Sequence, residues 1–88
     1  MQECTLQILN QLGLHARAAA LFVQVASKYS STIKVIKDKQ EVDGKSIIGL
    51  LTLAAECGSF LNLVIEGPDE AEALKDISGL IGNKFNEE

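Results

Sequence analysis

The sequence predicts a small α+β fold in the order β-α-β-β-α-β-α. Three observations carry that reading. Apolar and polar residues alternate over residues 2–9 and over Phe60–Glu66, as half-buried strands require. Apolar residues recur at helical spacing over residues 16–28 and 70–85. Between them, a β-rich run over Thr32–Lys37 meets the polar turn pair Asp38 and Lys39, and Gln40–Asp43 supplies the second arm of a hairpin. Four strands in one sheet with helices on one face satisfy this pattern, which leaves strand order open.

Taken in order, the first strand places Cys4, Leu6 and Ile8 on one side and Glu3, Thr5 and Gln7 on the other. Gly13 breaks the pattern. The helix that follows carries Ala19, Phe22, Val23 and Ala26 on one face, and Ser30 and Ser31 end it. After the hairpin, Asp43, Gly44 and Lys45 turn the chain and Ser46 precedes an apolar stretch over residues 47–55, a short helix that the serine caps. Gly58 and Ser59 interrupt it, and Phe60–Glu66 is the last strand. Gly67 and Pro68 turn the chain again. Asp69, with Glu72 three residues on, predicts a capping-box start to a third helix whose face is Ala71, Leu74, Ile77, Ser78 and Ile81. Gly79 and Gly82 weaken its far half by about 1 kcal/mol each relative to Ala.

Size and composition bound the function. A chain of 88 residues makes one domain over 1–88, burying roughly 60 to 65 per cent of the surface of the unfolded chain. Eight Lys and Arg against 12 Asp and Glu give a net charge of −4, and the basic residues are scattered, which disfavours a nucleic-acid partner. No basic strand face carries the aromatic residues of an RNA-binding sheet. The longest stretch without charged residues, 4–16, is too short for a bilayer and is broken by Gln7, Asn10, Gln11 and His15, so no membrane insertion is expected. The N-terminus lacks the basic cluster and apolar core of a signal peptide, which predicts a cytoplasmic protein. Cys4 and Cys57 form no CxxC pair and no metal-ligand spacing; they are expected to be reduced thiols, with no metal and no cofactor.

His15 is the only histidine, and it stands where a glycine-containing loop meets a helix start, two residues before Arg17. Free N–H groups and the helix dipole attract an anion there, and Arg17 adds a charged donor fork. An imidazole with an ordinary pKa of about 6.5 is a nucleophile near neutral pH and can take up and release a phosphoryl group. The plainer reading of such a histidine is a solvated helix cap. Ser46 likewise needs no purpose beyond capping. Ile47, Ile48, Leu50, Leu51 and Leu53 exceed what one buried stripe of a short helix uses, so some of them face solvent. With Ala20 they would form an apolar patch beside His15, although core packing accounts for any single one.

The string Gly13-Leu14-His15-Ala16-Arg17-Ala18-Ala19 resembles the active-site motif of the HPr family, the histidine-containing phosphocarriers of the bacterial phosphoenolpyruvate-dependent phosphotransferase system of sugar transport. Lys45-Ser46-Ile47-Ile48-Gly49-Leu50 resembles that family's second signature, around its regulatory serine. The element order extends the resemblance over nearly the whole chain. It implies an open-faced β-sandwich, a four-stranded antiparallel sheet in the order 1-4-2-3 covered on one face by three helices. It implies a carrier rather than an enzyme, phosphorylated by Enzyme I on His15 at Nδ1 and discharged to IIA-type proteins, with Arg17 as charge partner. Ser46 then falls at the family's HPr kinase/phosphorylase site, and Ala16, Ala20, Ile47, Ile48 and Leu51 fall on its docking face. Transient docking at one face suggests a monomer. One residue departs: Ala18 stands where the family usually has proline, which frees φ and adds one N–H to the first helical turn. Ala18 and the acidic tail over residues 85–88 faintly resemble the nitrogen-related regulatory branch. A regulatory module whose patch binds a protein partner, with His15 incidental, is the other reading.

Overall fold

A computed structural model describes residues 1–87; Glu88, the end of the acidic tail, lies outside the described residues. The chain runs β1 (Gln2–Gln7), α1 (Ala16–Ala26), β2 (Thr32–Lys37), β3 (Gln40–Asp43), α2 (Ile47–Thr52), β4 (Phe60–Glu66) and α3 (Glu70–Gly82), followed by a 3-10 turn at Lys84–Asn86. The strands form one antiparallel sheet in the order β1-β4-β2-β3. The last strand thus inserts between the first two, which pattern alone left open.

Strand alternation assigns the faces. Leu61, Leu63 and Ile65 of β4 are buried while Phe60, Asn62 and Glu66 are exposed, and Ile33 and Val35 of β2 repeat the pattern. In the ladder, Cys4 lies opposite Leu63 and Leu6 opposite Leu61, so β1 turns its apolar side the same way. Ala18, Ala19, Phe22 and Ala26 of α1, Leu50 of α2, and Ala73, Ile77 and Ile81 of α3 complete one core with these residues. The other face of the sheet is open. The fold is the α+β open-faced sandwich that the sequence predicts, and no described helix is long and apolar enough to cross a membrane.

Several boundaries and faces move. The pairing of β1 ends as ladder at Gln7, but Ile8 still exchanges bonds with the loop before β4, donating to Ser59 O at 2.8 Å and accepting from Gly58 N at 2.7 Å. α1 stops at Ala26, two residues before the expected end, and buries Ala18 completely, with Val23 only partly buried. α2 stops at Thr52 because Ala54 takes a left-handed φ of 51°. α3 stops at Gly82, after which Lys84, Phe85 and Asn86 all have positive φ. Its buried face keeps Ile77 and Ile81 of the expected set, with Leu74 and Ser78 half-buried, but takes Ala73 in place of Ala71, which is exposed.

The capping box at Asp69 and Glu72 does not form. The Asp69 carboxylate makes no bond to its own helix and instead accepts from the N–H groups of Ser30 (2.9 Å) and Ser31 (3.0 Å) and from the Ser31 hydroxyl. Those serines follow α1, and Ser31 is buried, so satisfying its N–H and hydroxyl outweighs capping an exposed helix end. Glu70, not Glu72, reaches back, accepting the Gly67 N–H at 3.1 Å.

Candidate functional site

His15 is the N-cap of α1, with extended backbone and no side-chain cap bond. The first rung of the helix runs from the Ala19 N–H to the His15 carbonyl at 2.8 Å. The N–H groups of Ala16, Arg17 and Ala18 therefore stand ahead of the ladder at the positive end of the helix dipole. Proline at position 18 would remove one of them, so alanine leaves a third donor at the helix start. Arg17 is exposed, and the His15 side chain is 28% exposed.

The approach to that helix start is fixed by the loop before it. The Leu14 N–H donates to the Ala55 carbonyl at 2.8 Å, which ties the loop to the segment after α2. Gly13 has φ +69°, and a Cβ there would lie 2.6 Å from the Ala55 oxygen, so glycine is required by both conformation and space. Buried Leu14 anchors the turn in the core.

Two further residues at His15 escaped the sequence reading. The Glu87 carboxylate, 72 positions away, contacts the ring at Nε2 through Oε2. Its other oxygen accepts the Asn10 side-chain N–H at 3.0 Å, and Asn10 also donates to the Gly13 carbonyl at 2.7 Å. The Asn10 amide and the ring hold the Glu87 carboxyl below its ordinary value, the nearby Arg17 charge acting in the same direction. The available signal was Phe85, a lone aromatic in a polar tail; it is fully buried and brings the tail back.

Ser46 caps α2, its hydroxyl oxygen accepting the Gly49 N–H at 3.0 Å. Lys45 before it donates to the Tyr29 carbonyl at 2.7 Å, holding the start of α2 to the segment that follows α1. Leu50 and Leu53 are buried, whereas Ile48 is 77% exposed and Ile47 and Leu51 about 40%. Because α1 and α2 pack together, these three lie on the helical side of the molecule with exposed Ala16 and half-buried Ala20. Cys4 and Cys57 are both free thiols. A groove of about 350 Å³ opens between β2 and β3, lined by Thr32, Lys34, Glu41 and Lys45 among others, and His15 takes no part in it.

A four-stranded open-faced sandwich with its one histidine, partly exposed, at the N-cap of the first helix defines a class of small α+β proteins. Comparison with known proteins makes the class particular. A family model described as "PTS HPr component phosphorylation site" matches residues 2–83. The phosphocarrier protein HPr of Treponema pallidum (strain Nichols) is 52% identical over 84 residues, 96% of each chain. The crystal structure of HPr-C-His from Thermoanaerobacter tengcongensis matches with a TM-score of 0.97 at 52% identity, covering 100% of this chain and 99% of that one. An HPr dimer from the same organism matches with a TM-score of 0.80 at 52% identity, over 99% of this chain and 100% of that one. This chain belongs to the HPr phosphocarrier family of the phosphotransferase system.

Proposed function

We propose that residues 1–88 form a single phosphocarrier domain of the cytoplasm, with His15 as the group that carries the phosphoryl between two proteins. The observation that supports this most is the placement of His15: a partly exposed imidazole at the N-cap of α1, beside three N–H groups ahead of the helix ladder and next to Arg17. Nδ1 attacks the phosphorus of phospho-Enzyme I, the bond to the donor breaks with its electron pair leaving on the donor, and a IIA-type protein later takes the group by the reverse chemistry. The chain acts as a shuttled intermediate, not as an enzyme. N–H groups and the guanidinium hold the phosphoryl oxygens as charge moves between nitrogen and phosphorus.

Docking falls to Ala16, Ala20, Ile47, Ile48 and Leu51, the apolar surface on the same helical side as His15. Ser46 sits at the edge of that surface, where HPr kinase/phosphorylase would add about −1.5 to −2 of charge at a helix start whose dipole tolerates it. The consequence is weaker docking, with the fold intact. A monomer suits one-face docking, and pairing of the kind named for the Thermoanaerobacter tengcongensis HPr dimer is the alternative that ultracentrifugation separates.

The test is transfer of labelled phosphate from phosphoenolpyruvate through purified Enzyme I, followed by discharge onto a IIA protein. An acid-labile, base-stable phosphate that moves on to IIA supports the reading. No label on the folded chain contradicts it.

A further inference from the structure

The chain makes an unusual excursion to bring its tail to His15. Lys84, Phe85 and Asn86 take φ values of 55°, 53° and 62°, a run that L residues rarely adopt and that persists only where the surroundings dictate it. Buried Phe85 pins this reversal, and the Glu87 N–H closes it on the Lys84 carbonyl at 2.9 Å. Glu87 then spans two groups from the opposite end of the chain, Asn10 and His15. Asn10 is 1% exposed and donates to both Gly13 and Glu87, so the carboxylate is held from behind while its second oxygen meets the ring.

An ionised carboxylate only accepts hydrogen bonds, so the ring nitrogen facing it must be the donor. A neutral imidazole has one N–H; if Nε2 carries it, the lone pair is on Nδ1. We propose that Glu87 is a positioning residue for His15, whose carboxylate holds the proton on Nε2, leaves the Nδ1 lone pair free, and offsets the positive charge that the ring gains when Nδ1 is phosphorylated. The proposal rests on His15 being the phosphoryl acceptor. In the step itself the Nδ1 lone pair forms the N–P bond while the bond from phosphorus to the donor breaks, its electron pair staying with the donor. The Nε2 proton remains on the ring, now an imidazolium facing Glu87. The free N–H groups belong to the start of α1 and Glu87 to the tail, so the two charges that develop are met from separate elements.

The experiment compares the wild-type chain with Glu87→Ala and Glu87→Gln, each checked for folding by circular dichroism. Glutamine keeps the size of the side chain but offers one carbonyl oxygen to the two donors, so it decides the matter if the alanine variant folds poorly. NMR of ¹⁵N-labelled histidine, at a pH well above the ordinary imidazole pKa of about 6.5, reads the tautomer and the protection of the ring proton without any transfer reaction. The wild type should show one Nε2–H tautomer with a ring proton slow to exchange. Both variants should move toward a mixture of tautomers, lose that protection, and accept phosphate from phospho-Enzyme I about tenfold more slowly, the low end for loss of a carboxylate that orients a histidine. Unchanged ring shifts and protection overturn the proposal, as do changed shifts with an unchanged rate. A wild-type chain with the ordered ring but no phosphate uptake overturns the carrier reading instead.

Discussion

The Ser46 hydroxyl oxygen accepts the Gly49 N–H at 3.0 Å, so the serine that a kinase would modify is also the residue that starts α2. Its two roles separate by substitution. Ser46→Ala removes the cap and should cost about 1 kcal/mol in urea unfolding, with transfer from Enzyme I nearly unchanged. Ser46→Asp keeps a capping oxygen and should unfold at nearly the wild-type midpoint, yet raise the Enzyme I concentration needed for half-maximal transfer. Added salt should relieve part of that effect by screening. Normal low-salt kinetics for the aspartate variant would leave Ser46 as a cap alone.

Gly13→Ala tests the loop that delivers the histidine. A φ of +69° and a Cβ 2.6 Å from the Ala55 oxygen both oppose any side chain. The variant should lose about 1 to 3 kcal/mol of stability, read from chemical denaturation, because the residue either stays strained or breaks the bond between Leu14 and Ala55. An unaltered midpoint would mean that the loop adopts another path.

How far the sequence could be read follows from the range of the forces involved. The limits of β2, β3 and β4 and the cap of α2 were legible because each depends on neighbouring residues: alternation, turn pairs, and a serine three positions before the N–H it receives. The helix ends were less so, since α2 and α3 stop where Ala54 and Lys84 turn left-handed, a conformation with no glycine to announce it. At the site, His15, Arg17 and Ser46 stood out by position and motif. Asn10 and Glu87 did not, because their link to His15 joins the two ends of the chain. Asp69 carried a capping signal that tertiary structure redirected to Ser30 and Ser31.

That redirection gives a pH prediction. Bonds from the Ser31 hydroxyl and the Ser30 N–H hold the Asp69 carboxyl below its ordinary value. A carboxyl with a depressed folded pKa stabilises the fold above its unfolded pKa of about 3.9, and that contribution is lost as pH falls through the lower folded value. Asp69→Ala should therefore be less stable than wild type at neutral pH, and the gap should shrink as the solution is acidified. A gap independent of pH between 7 and 2 would show that the carboxylate charge is not what holds the serines.

Arg17→Ala should leave folding within about 0.5 kcal/mol of wild type, since the side chain is exposed. Single-turnover transfer should slow by on the order of a hundredfold, as for loss of one donor to a developing charge. The informative comparison is with Arg17→Lys, which keeps the charge but not the fork. Equal rates for wild type and both variants would remove Arg17 from the transfer step.

The most direct measurement is labelled phosphate uptake by wild type and His15→Ala from phosphoenolpyruvate and Enzyme I, with circular dichroism on both. The His15 side chain makes no cap bond to α1 and lies outside the buried core, so the variant should keep its helical and strand signal. The account predicts a stoichiometric acid-labile phosphate on the wild type and none on the variant. Acid-labile phosphate on folded His15→Ala would contradict it.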